Sequence, residues 1–258
     1  MQLLLNNLST GYRQKHTAKT VSAGIHATLE AGQLTCLLGP NGAGKSTLLR
    51  TLAGFQPPLA GEILVDGVPV SSLSREKRAR TFGVVLTDHM HLTGMTAREV
   101  VSLGRSPYND FWGRLTAHDH EVVGESLATV GAADLAERQM QTLSDGERQK
   151  VMIAKALAQQ TPFVFLDEPT AFLDYPSKVR TLMLLKRLTR TMGKTILLST
   201  HDIEHAMALS DQVWLLDGMH GLTAGTVERL SEEGQINRYF DDDALHYDAR
   251  QRRFLMQE

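Results

Sequence analysis

Cysteine and long apolar runs are scarce in this chain of 258 residues. It contains one cysteine, Cys36, so an internal disulfide is excluded. No window approaches the roughly 18 consecutive apolar residues that a membrane-spanning helix needs. The first residues show no basic stretch ahead of a long apolar core, so we expect no secretory signal there. The sequence therefore predicts a soluble protein that serves a membrane, if at all, through its partners.

A strong excess of either charge is also absent. The 27 Lys and Arg residues nearly balance the 29 Asp and Glu residues, which gives a net charge of −2. This balance provides no general attraction to nucleic acid or to anionic lipid, so we expect no nucleic-acid partner. The length suits one sizeable core, with a smaller lobe attached to it.

Hydrophobic patterning near the N-terminus predicts an antiparallel β-lobe. Apolar residues alternate strictly from Val21 to Leu29, which is typical of a half-buried strand. Asp66-Gly67 stands between two short apolar runs, and this is a strong hairpin signal. A second hairpin is predicted from Gln212–Asp217 and Leu222–Gly225.

The remaining pattern predicts a parallel α/β core interrupted by helices. Apolar runs at Leu34–Leu38, Phe163–Leu166 and Thr195–Ser199 each lead into a helical stretch. Residues from about 90 to 158 are helical in pattern without a convincing strand, so we interpret them as an inserted helical subdomain.

The proposed domain boundary lies where this periodicity fades. Residues 1–232 are interpreted as a single domain, and residues 233–258 as a C-terminal tail. The tail carries Asp241-Asp-Asp243 and Arg250-Gln-Arg-Arg253, which we interpret as solvated charge.

Residues 39–47 read Gly-Pro-Asn-Gly-Ala-Gly-Lys-Ser-Thr and match the phosphate-binding pattern G-x-x-x-x-G-K-[ST] between a strand and a helix. The backbone N–H groups of such a loop surround a polyphosphate, and the following helix points its positive end there. Lys45 is expected to reach the β and γ phosphates, and Ser46 to ligate Mg²⁺. The predicted nucleotide-binding residues of this loop are Gly39, Asn41, Gly42, Ala43, Gly44, Lys45, Ser46 and Thr47.

Two adjacent carboxylates, Asp167 and Glu168, end the apolar strand Phe163–Leu166. Successive residues on an extended chain point apart, so the two acids can have different roles. Asp167 is expected to hold Mg²⁺ through water, and Glu168 to orient or deprotonate the attacking water. The alternative is an acidic pair that only ends a strand in solvent.

The segment Leu143-Ser-Asp-Gly-Glu-Arg-Gln149 distinguishes among the proteins that share such a loop. Together with Lys45, Asp167, Phe172-Leu-Asp174 and His201, it resembles the ATP-binding subunits of ABC transporters over roughly residues 1–230. That family's signature is Leu-Ser-Gly-Gly-Gln, so this chain departs from it at Asp145 and Glu147. Ser144-x-x-Glu147 ahead of a helix is also a capping box, and the two interpretations are compatible.

The resemblance implies the ABC ATPase version of the P-loop NTPase fold and the use of ATP and Mg²⁺. Two copies of the chain would stack head to tail. Each copy would supply its phosphate-binding loop to one ATP, and Ser144 with Gly146 to the other. Asp174 would also lie at the nucleotide. An ionised Asp145 close to the γ-phosphate would be unfavourable unless its side chain faces away.

Three further residues take roles from this resemblance. His201, after the strand Thr195–Ser199, would contact the γ-phosphate and help to fix the attacking water. Tyr12 would stack on adenine. Asp88 occupies the place of a glutamine that binds Mg²⁺ and water, with Thr87 as the other candidate for that place. Aspartate can still ligate Mg²⁺, although its ionised form cannot donate a hydrogen bond.

The segment Leu103-Gly-Arg-Ser-Pro-Tyr108 resembles one in the importers of iron-siderophores, haem and cobalamin. The alternative is an ordinary helix end, since Pro commonly follows one. The resemblance implies two membrane-spanning permease subunits that contact residues around 88–110, and indirectly a substrate-binding protein. The chain would then lie at the cytoplasmic face of the inner membrane, peripheral through the permease.

Alternative functions remain on the sequence alone. The chain could serve another ABC importer, or it could be a soluble ABC ATPase that acts on DNA or ribosomes. The latter usually contain two nucleotide units or a long coiled-coil insertion, and this sequence shows neither. A monomeric P-loop kinase or G protein is disfavoured by Leu143–Gln149 and by His201.

Overall fold

The computed structural model describes residues 1–14, 17–86, 92–110, 112–217, 221–240, 245–248 and 253–256. In these residues the strands are β1 (Leu3–Gln14), β2 (Thr17–Leu29), β3 (Leu34–Leu38), β4 (Ala60–Val65), β5 (Val68–Pro69), β6 (Phe82–Val85), β7 (Phe163–Asp167), β8 (Thr195–Ser199), β9 (Gln212–Asp217), β10 (Gly221–Gly225), β11 (Leu245–Asp248) and β12 (Arg253–Met256). The helices are α1 (Lys45–Leu52), α2 (Arg75–Thr81), α3 (Ala97–Ser102), α4 (Ala117–Thr129), α5 (Asp145–Ala158), α6 (Tyr175–Met192), α7 (Ile203–Leu209), α8 (Val227–Glu232) and α9 (Gln235–Phe240). Short 3-10 turns occupy Val70–Ser72, Leu103–Tyr108, Ala133–Leu135 and Met140–Thr142.

A six-stranded sheet forms the centre of the molecule, in the order β10-β9-β3-β8-β7-β6. Strand β3 pairs in parallel with β8 and β9, and β7 pairs in parallel with β6 and β8. Strand β10 runs antiparallel to β9, as the second predicted hairpin requires. The predicted parallel α/β core is confirmed.

The central sheet is buried on both faces, which explains why its strands are continuous apolar runs. On β3, Cys36 faces the core cluster formed with the helices, and Leu37 faces the cluster that contains α1 and the β-lobe. Burial raises the pKa of the Cys36 thiol to about 12. Cys36 is therefore a packed, unreactive residue.

The N-terminal β-lobe is the predicted antiparallel sheet, in the order β2-β1-β4-β5. The alternation predicted for Val21–Leu29 holds at its C-terminal end, where Ile25, Ala27 and Leu29 are buried. A shift in the pairing with β1, next to Gly24 (φ 65°), turns Ser22 inward instead of Val21 and Ala23. The Asp66-Gly67 turn joins β4 and β5 as predicted.

The helical subdomain is also confirmed, and each of its main helices begins at a capping box. Thr96 and Glu99 cap α3, Thr116 and Asp119 cap α4, and Ser144 and Glu147 cap α5. In each box the first side chain accepts the backbone N–H of the acid, whose carboxylate accepts the first residue's backbone N–H.

Chain beyond residue 232 folds against the core. Strands β11 and β12 pair antiparallel, and the side chain of Tyr247 is only 1% exposed. Its ring centroid lies 5.2 Å from that of Phe254. The charged stretches at 241–243 and 250–252 lie outside the described residues, and the division at residue 232 stays a prediction.

A buried ion pair connects the elements of the helical subdomain. The Arg105 Nε donates to Asp119 Oδ1 over 2.8 Å, and its Nη1 donates to the carbonyl of Ala158 over 2.7 Å. The guanidinium carbon also lies 4.0 Å from the centroid of the Tyr108 ring. Hydrogen bonds from Thr116 and from Arg105 lower the pKa of Asp119 from 3.8 to about 2. The contribution of ionised Asp119 to stability is therefore complete above about pH 4 and is lost as the pH falls toward 2.

We predict that Arg105→Met lowers the free energy of unfolding by about 3–5 kcal/mol, because it leaves Asp119 buried and without its cation. Urea unfolding of the purified chain measures this change. Arg98→Met is the matched control, since the pair of Arg98 with Glu137 is largely exposed and is worth about 0–1 kcal/mol. Equal losses of unfolding free energy in the two variants would contradict the stabilising role given to the buried ion pair of Arg105 with Asp119.

Candidate nucleotide site

The carboxyl ends of three parallel strands meet at one edge of the central sheet. Strand β3 leads into the phosphate-binding loop, β7 ends at Asp167, and β8 ends at Ser199. Ser199 lies in register with both Asp167 and Leu37. Segments more than 30 residues apart in the chain are thereby brought together at the place where open α/β sheets bind ligands.

The phosphate-binding loop folds tightly around the side chain of Lys45. Its Nζ donates to the carbonyl of Gly39 over 2.7 Å and to that of Pro40 over 3.1 Å. Burial lowers the pKa of Lys45, whereas the negative charges of Glu168 and Asp167 act in the opposite direction. The effect of both carboxylates on Lys45 agrees with a site in which the three side chains converge.

Close contacts with neighbouring atoms explain two of the glycines in this loop. A Cβ atom on Gly39 would lie 2.0 Å from the carbonyl oxygen of Leu216, and one on Gly44 (φ 101°) would lie 2.4 Å from Cγ1 of Val21. Of the other residues predicted here, Ala43 and Thr47 are buried, while Asn41, Gly42 and Ser46 are exposed and face solvent.

Ser199 connects the two adjacent acids. Its hydroxyl donates to Asp167 Oδ1 over 2.6 Å and accepts the backbone N–H of Glu168 over 2.9 Å. Glu168 has left-handed backbone geometry (φ 47°), which is uncommon outside glycine and often marks functional sites. Asp167 is 5% exposed, so the alternative of an acidic pair that only ends a strand in solvent does not fit this residue.

His201 contacts the acidic pair, and Tyr12 contacts the helix that follows the phosphate-binding loop. The His201 Nδ1 is 3.5 Å from Glu168 Oε2, and its imidazole is half exposed. The Tyr12 hydroxyl hydrogen-bonds to the Thr47 hydroxyl over 2.8 Å, and the tyrosine is 46% exposed. The ring of Tyr12 therefore stands beside the first turn of α1, where it is accessible to a ligand.

Ser144 and Gly146 lie at the N-terminus of α5, in an open groove of about 570 Å³ shared with residues of α6. None of the described residues that line this groove belongs to the phosphate-binding loop. Asp145, in contrast, lines a small cavity of about 80 Å³ together with Arg148, Asp167 and Glu168. The carboxylate of Asp145 accepts a hydrogen bond of 2.9 Å from Arg148.

Asp174 is the N-cap of α6, because its carboxylate accepts the backbone N–H of Ser177 over 3.0 Å. Hydrogen bonds from Ser177 lower the pKa of Asp174. Asp88 and Thr87 lie outside the described residues, so the position predicted to replace the family's glutamine stays a prediction.

Sequence reasoning missed two residues of this region. Ser199 ends an apolar strand two residues before His201, and this position was the available signal. Arg148 stands three residues after Asp145, a spacing at which helical side chains meet. Each of these signals acquires its meaning only once the fold places the residue beside the acids.

Among the described residues, no helix is both long enough and apolar enough to cross a bilayer. The ABC transporter family profile matches residues 22–171. The chain is 34% identical to an iron(3+)-hydroxamate import ATP-binding protein of Bacillus subtilis, over 93% of this chain and 90% of that protein. It is 37% identical to a cobalamin import ATP-binding protein of Halobacterium salinarum, over 84% of this chain and 54% of that protein.

A solved structure supports the same assignment. The dimeric, post-hydrolysis state of an ATP-binding cassette bound to ADP and Pi superimposes with a TM-score of 0.74 and 26% identity, over 87% of this chain and 98% of that one. The segment that the family profile matches includes the phosphate-binding loop, Ser144 and both strand-end acids. The chain therefore belongs to the ABC transporter family and contains its ATP-hydrolysing cassette.

Proposed function

We propose that this chain hydrolyses ATP to power the import of an iron chelate (siderophore), haem or cobalamin through a membrane permease. The observation that carries the proposal is the convergence of Lys45, Asp167, Glu168 and His201 at one sheet edge. The cargo class rests on the named functions of the relatives, together with the Leu103–Tyr108 segment. Arg105 of that segment is buried in the helical subdomain, so it has a structural role and does not contact cargo.

In the proposed mechanism the phosphate-binding loop receives the ATP phosphates. Lys45 would exchange its bonds to the Gly39 and Pro40 carbonyls for the β and γ phosphates. Its desolvated ammonium is suited to this role, because ion pairs strengthen where water is excluded. Tyr12 would offer its exposed ring to adenine.

The donor set of this edge fits Mg²⁺, which prefers oxygen ligands. The carboxylate of Asp167 and the hydroxyl of Ser46 are such ligands, and Asp88 would add a third. When bound, the ion would neutralise charge on the phosphates. Ser199 fixes the Asp167 carboxylate from the side, so the acid is already oriented for this role.

Glu168 and His201 would act on the attacking water. Glu168 would accept its proton or orient it, and His201 would hold it against the γ-phosphate. The 3.5 Å between the two side chains allows both to contact one small molecule. The Ser199 hydroxyl accepts the backbone N–H of Glu168 and so fixes the backbone of this residue at the strand end.

A second copy of the chain would complete each site. Ser144 and Gly146 stand at the positive end of a 14-residue helix, which is a suitable receptor for a phosphate. They line a groove away from their own phosphate-binding loop, so they would serve the ATP of the partner copy.

Two permease subunits would contact residues around 88–110, near the exposed Leu103 and Trp112. A substrate-binding protein would supply the cargo, and the assembly would lie at the cytoplasmic face of the inner membrane.

Isolation of the complete complex tests this proposal. We expect co-purification with a polytopic membrane protein, and a cargo identified by its absorption spectrum and metal content. Co-purification with nucleic acid or ribosomes would instead support a soluble ABC ATPase. Cargo of another chemical class would leave the ATPase assignment intact and overturn only the import of iron chelates, haem or cobalamin.

We predict that Lys45→Ala weakens ATP affinity by about 10- to 100-fold, because it removes a charge-assisted hydrogen bond to phosphate. Titration with a fluorescent ATP analogue measures the change. Lys77→Ala, at an exposed position on α2, is the matched control and should bind normally. Unchanged affinity in Lys45→Ala would argue against the assignment of the phosphate-binding loop.

We predict that Glu168→Gln keeps ATP affinity within about threefold but lowers the turnover number by about 100-fold or more. The amide has the same shape but cannot accept the proton of water. Steady-state phosphate release and ATP binding are measured on the same preparation, with Glu204→Gln on α7 as the control. Near-normal turnover in Glu168→Gln would remove this residue from the role of the base.

A further inference from the structure

The N-terminus of α5 carries two acids, and each of them is held by a different arginine. Arg148 donates to Asp145 Oδ1 over 2.9 Å and to the carbonyl of Leu143 over 3.2 Å. Arg138 donates to Glu147 Oε1 over 3.2 Å and to the carbonyl of Thr142 over 2.8 Å. The two residues at which this chain departs from the family signature are thus both paired with cations.

The two acids differ in how they are fixed. Glu147 Oε2 also accepts the backbone N–H and the hydroxyl of Ser144, at 2.9 and 3.0 Å, so the capping box holds it without Arg138. Asp145 is the first residue of the helix and is exposed. Its carboxylate accepts a hydrogen bond from Arg148, which donates to the Leu143 carbonyl at the same time.

The direction in which Asp145 points separates it from the phosphate-receiving face. Ser144 and Gly146 line the groove shared with α6, together with Glu147, whose charge Arg138 offsets, whereas Asp145 and Arg148 line the cavity that contains Asp167 and Glu168. A carboxylate at the first position of a helix is itself attracted to the helix N-terminus. If Asp145 were released, it would compete with a phosphate for that positive end and would repel it at short range.

We propose that Arg148 is a positioning residue, which holds the Asp145 carboxylate away from Ser144 so that the γ-phosphate of the partner copy's ATP can reach the α5 N-terminus. This inference rests on the proposed function, in which Ser144 serves the ATP of a second copy. Arg148 also neutralises the charge that Asp145 adds beside Asp167 and Glu168. The pair therefore permits an aspartate at a position where the family signature has glycine.

A double-mutant cycle on the full chain tests the proposal. The variants are Arg148→Met, Asp145→Asn and the double variant, and dimerisation is followed by sedimentation velocity with a non-hydrolysable ATP analogue. We expect Arg148→Met to weaken analogue-dependent dimerisation by about tenfold, since like charges meet at the interface. The double variant should return to within about twofold of Asp145→Asn, because the released charge is gone.

Two controls separate this mechanism from a loss of helix stability. Arg138→Met removes the other arginine, yet Glu147 stays in its capping box, so adding Asp145→Asn should not change the dimerisation of that variant. Binding of a fluorescent ATP analogue to the monomer at low protein concentration should stay within about twofold of wild type in every variant. A double variant as weak as Arg148→Met would show that Arg148 acts only through the helix, and would overturn the proposal.

Asp145→Asn alone and Ser144→Arg complete the test. Asp145 lies on the surface, so the Asp145→Asn variant should dimerise at least as well as wild type. Weaker dimerisation of this variant would also overturn the inference. Ser144→Arg should abolish analogue-dependent dimerisation while monomer binding stays normal. If Ser144→Arg dimerises normally, the shared site of the proposed function fails together with this inference. If Ser144→Arg abolishes dimerisation but Asp145→Asn does not restore dimerisation to the Arg148→Met variant, the shared site stands and only this inference fails.

Discussion

The parallel pairing of β3, β8 and β7 is the constraint on which the rest of the site depends. This pairing places the phosphate-binding loop, the Asp167–Glu168 pair and the segment around His201 at one sheet edge. The Ser199 hydroxyl then joins β8 to the carboxylate of Asp167 and to the backbone of Glu168. Because the sheet is buried on both faces, these strand ends cannot shift independently, and the side chains proposed to react are positioned before a ligand binds.

The helical subdomain contributes the capped N-terminus of α5, with Ser144, to the proposed hydrolysis of ATP. Its helices are started by capping boxes, and its interior is joined by the ion pair of Arg105 with Asp119. A buried ion pair adds little net stability compared with apolar packing, but breaking it is costly. The subdomain therefore tolerates few alternative arrangements of the turn at Leu103–Tyr108, the segment that resembles the importers of iron chelates and cobalamin.

Much of this architecture could be predicted from the sequence, because periodicity and short motifs report local structure directly. Apolar runs identified β3, β7 and β8, and Ser144-x-x-Glu147 identified the start of α5. The pairing of Asp145 with Arg148 was harder to foresee, since it depends on the rotamers of two exposed side chains. The inward turn of Ser22 depends on a bulge near Gly24, and a strict alternation of apolar residues hides it. Tyr247 packs on the core through contacts with Phe254 across its hairpin, and no local periodicity records such contacts.

The two ends of α5 are fixed by different parts of the molecule. At the C-terminal end Arg105 binds the carbonyl of Ala158, and at the N-terminal end the cap and Arg148 hold the turn that carries Ser144. A helix of 14 residues is about 21 Å long and resists bending over that distance. Because no loop lies between the two ends of α5, a displacement of the turn at Leu103–Tyr108 would be transmitted along this helix to Ser144.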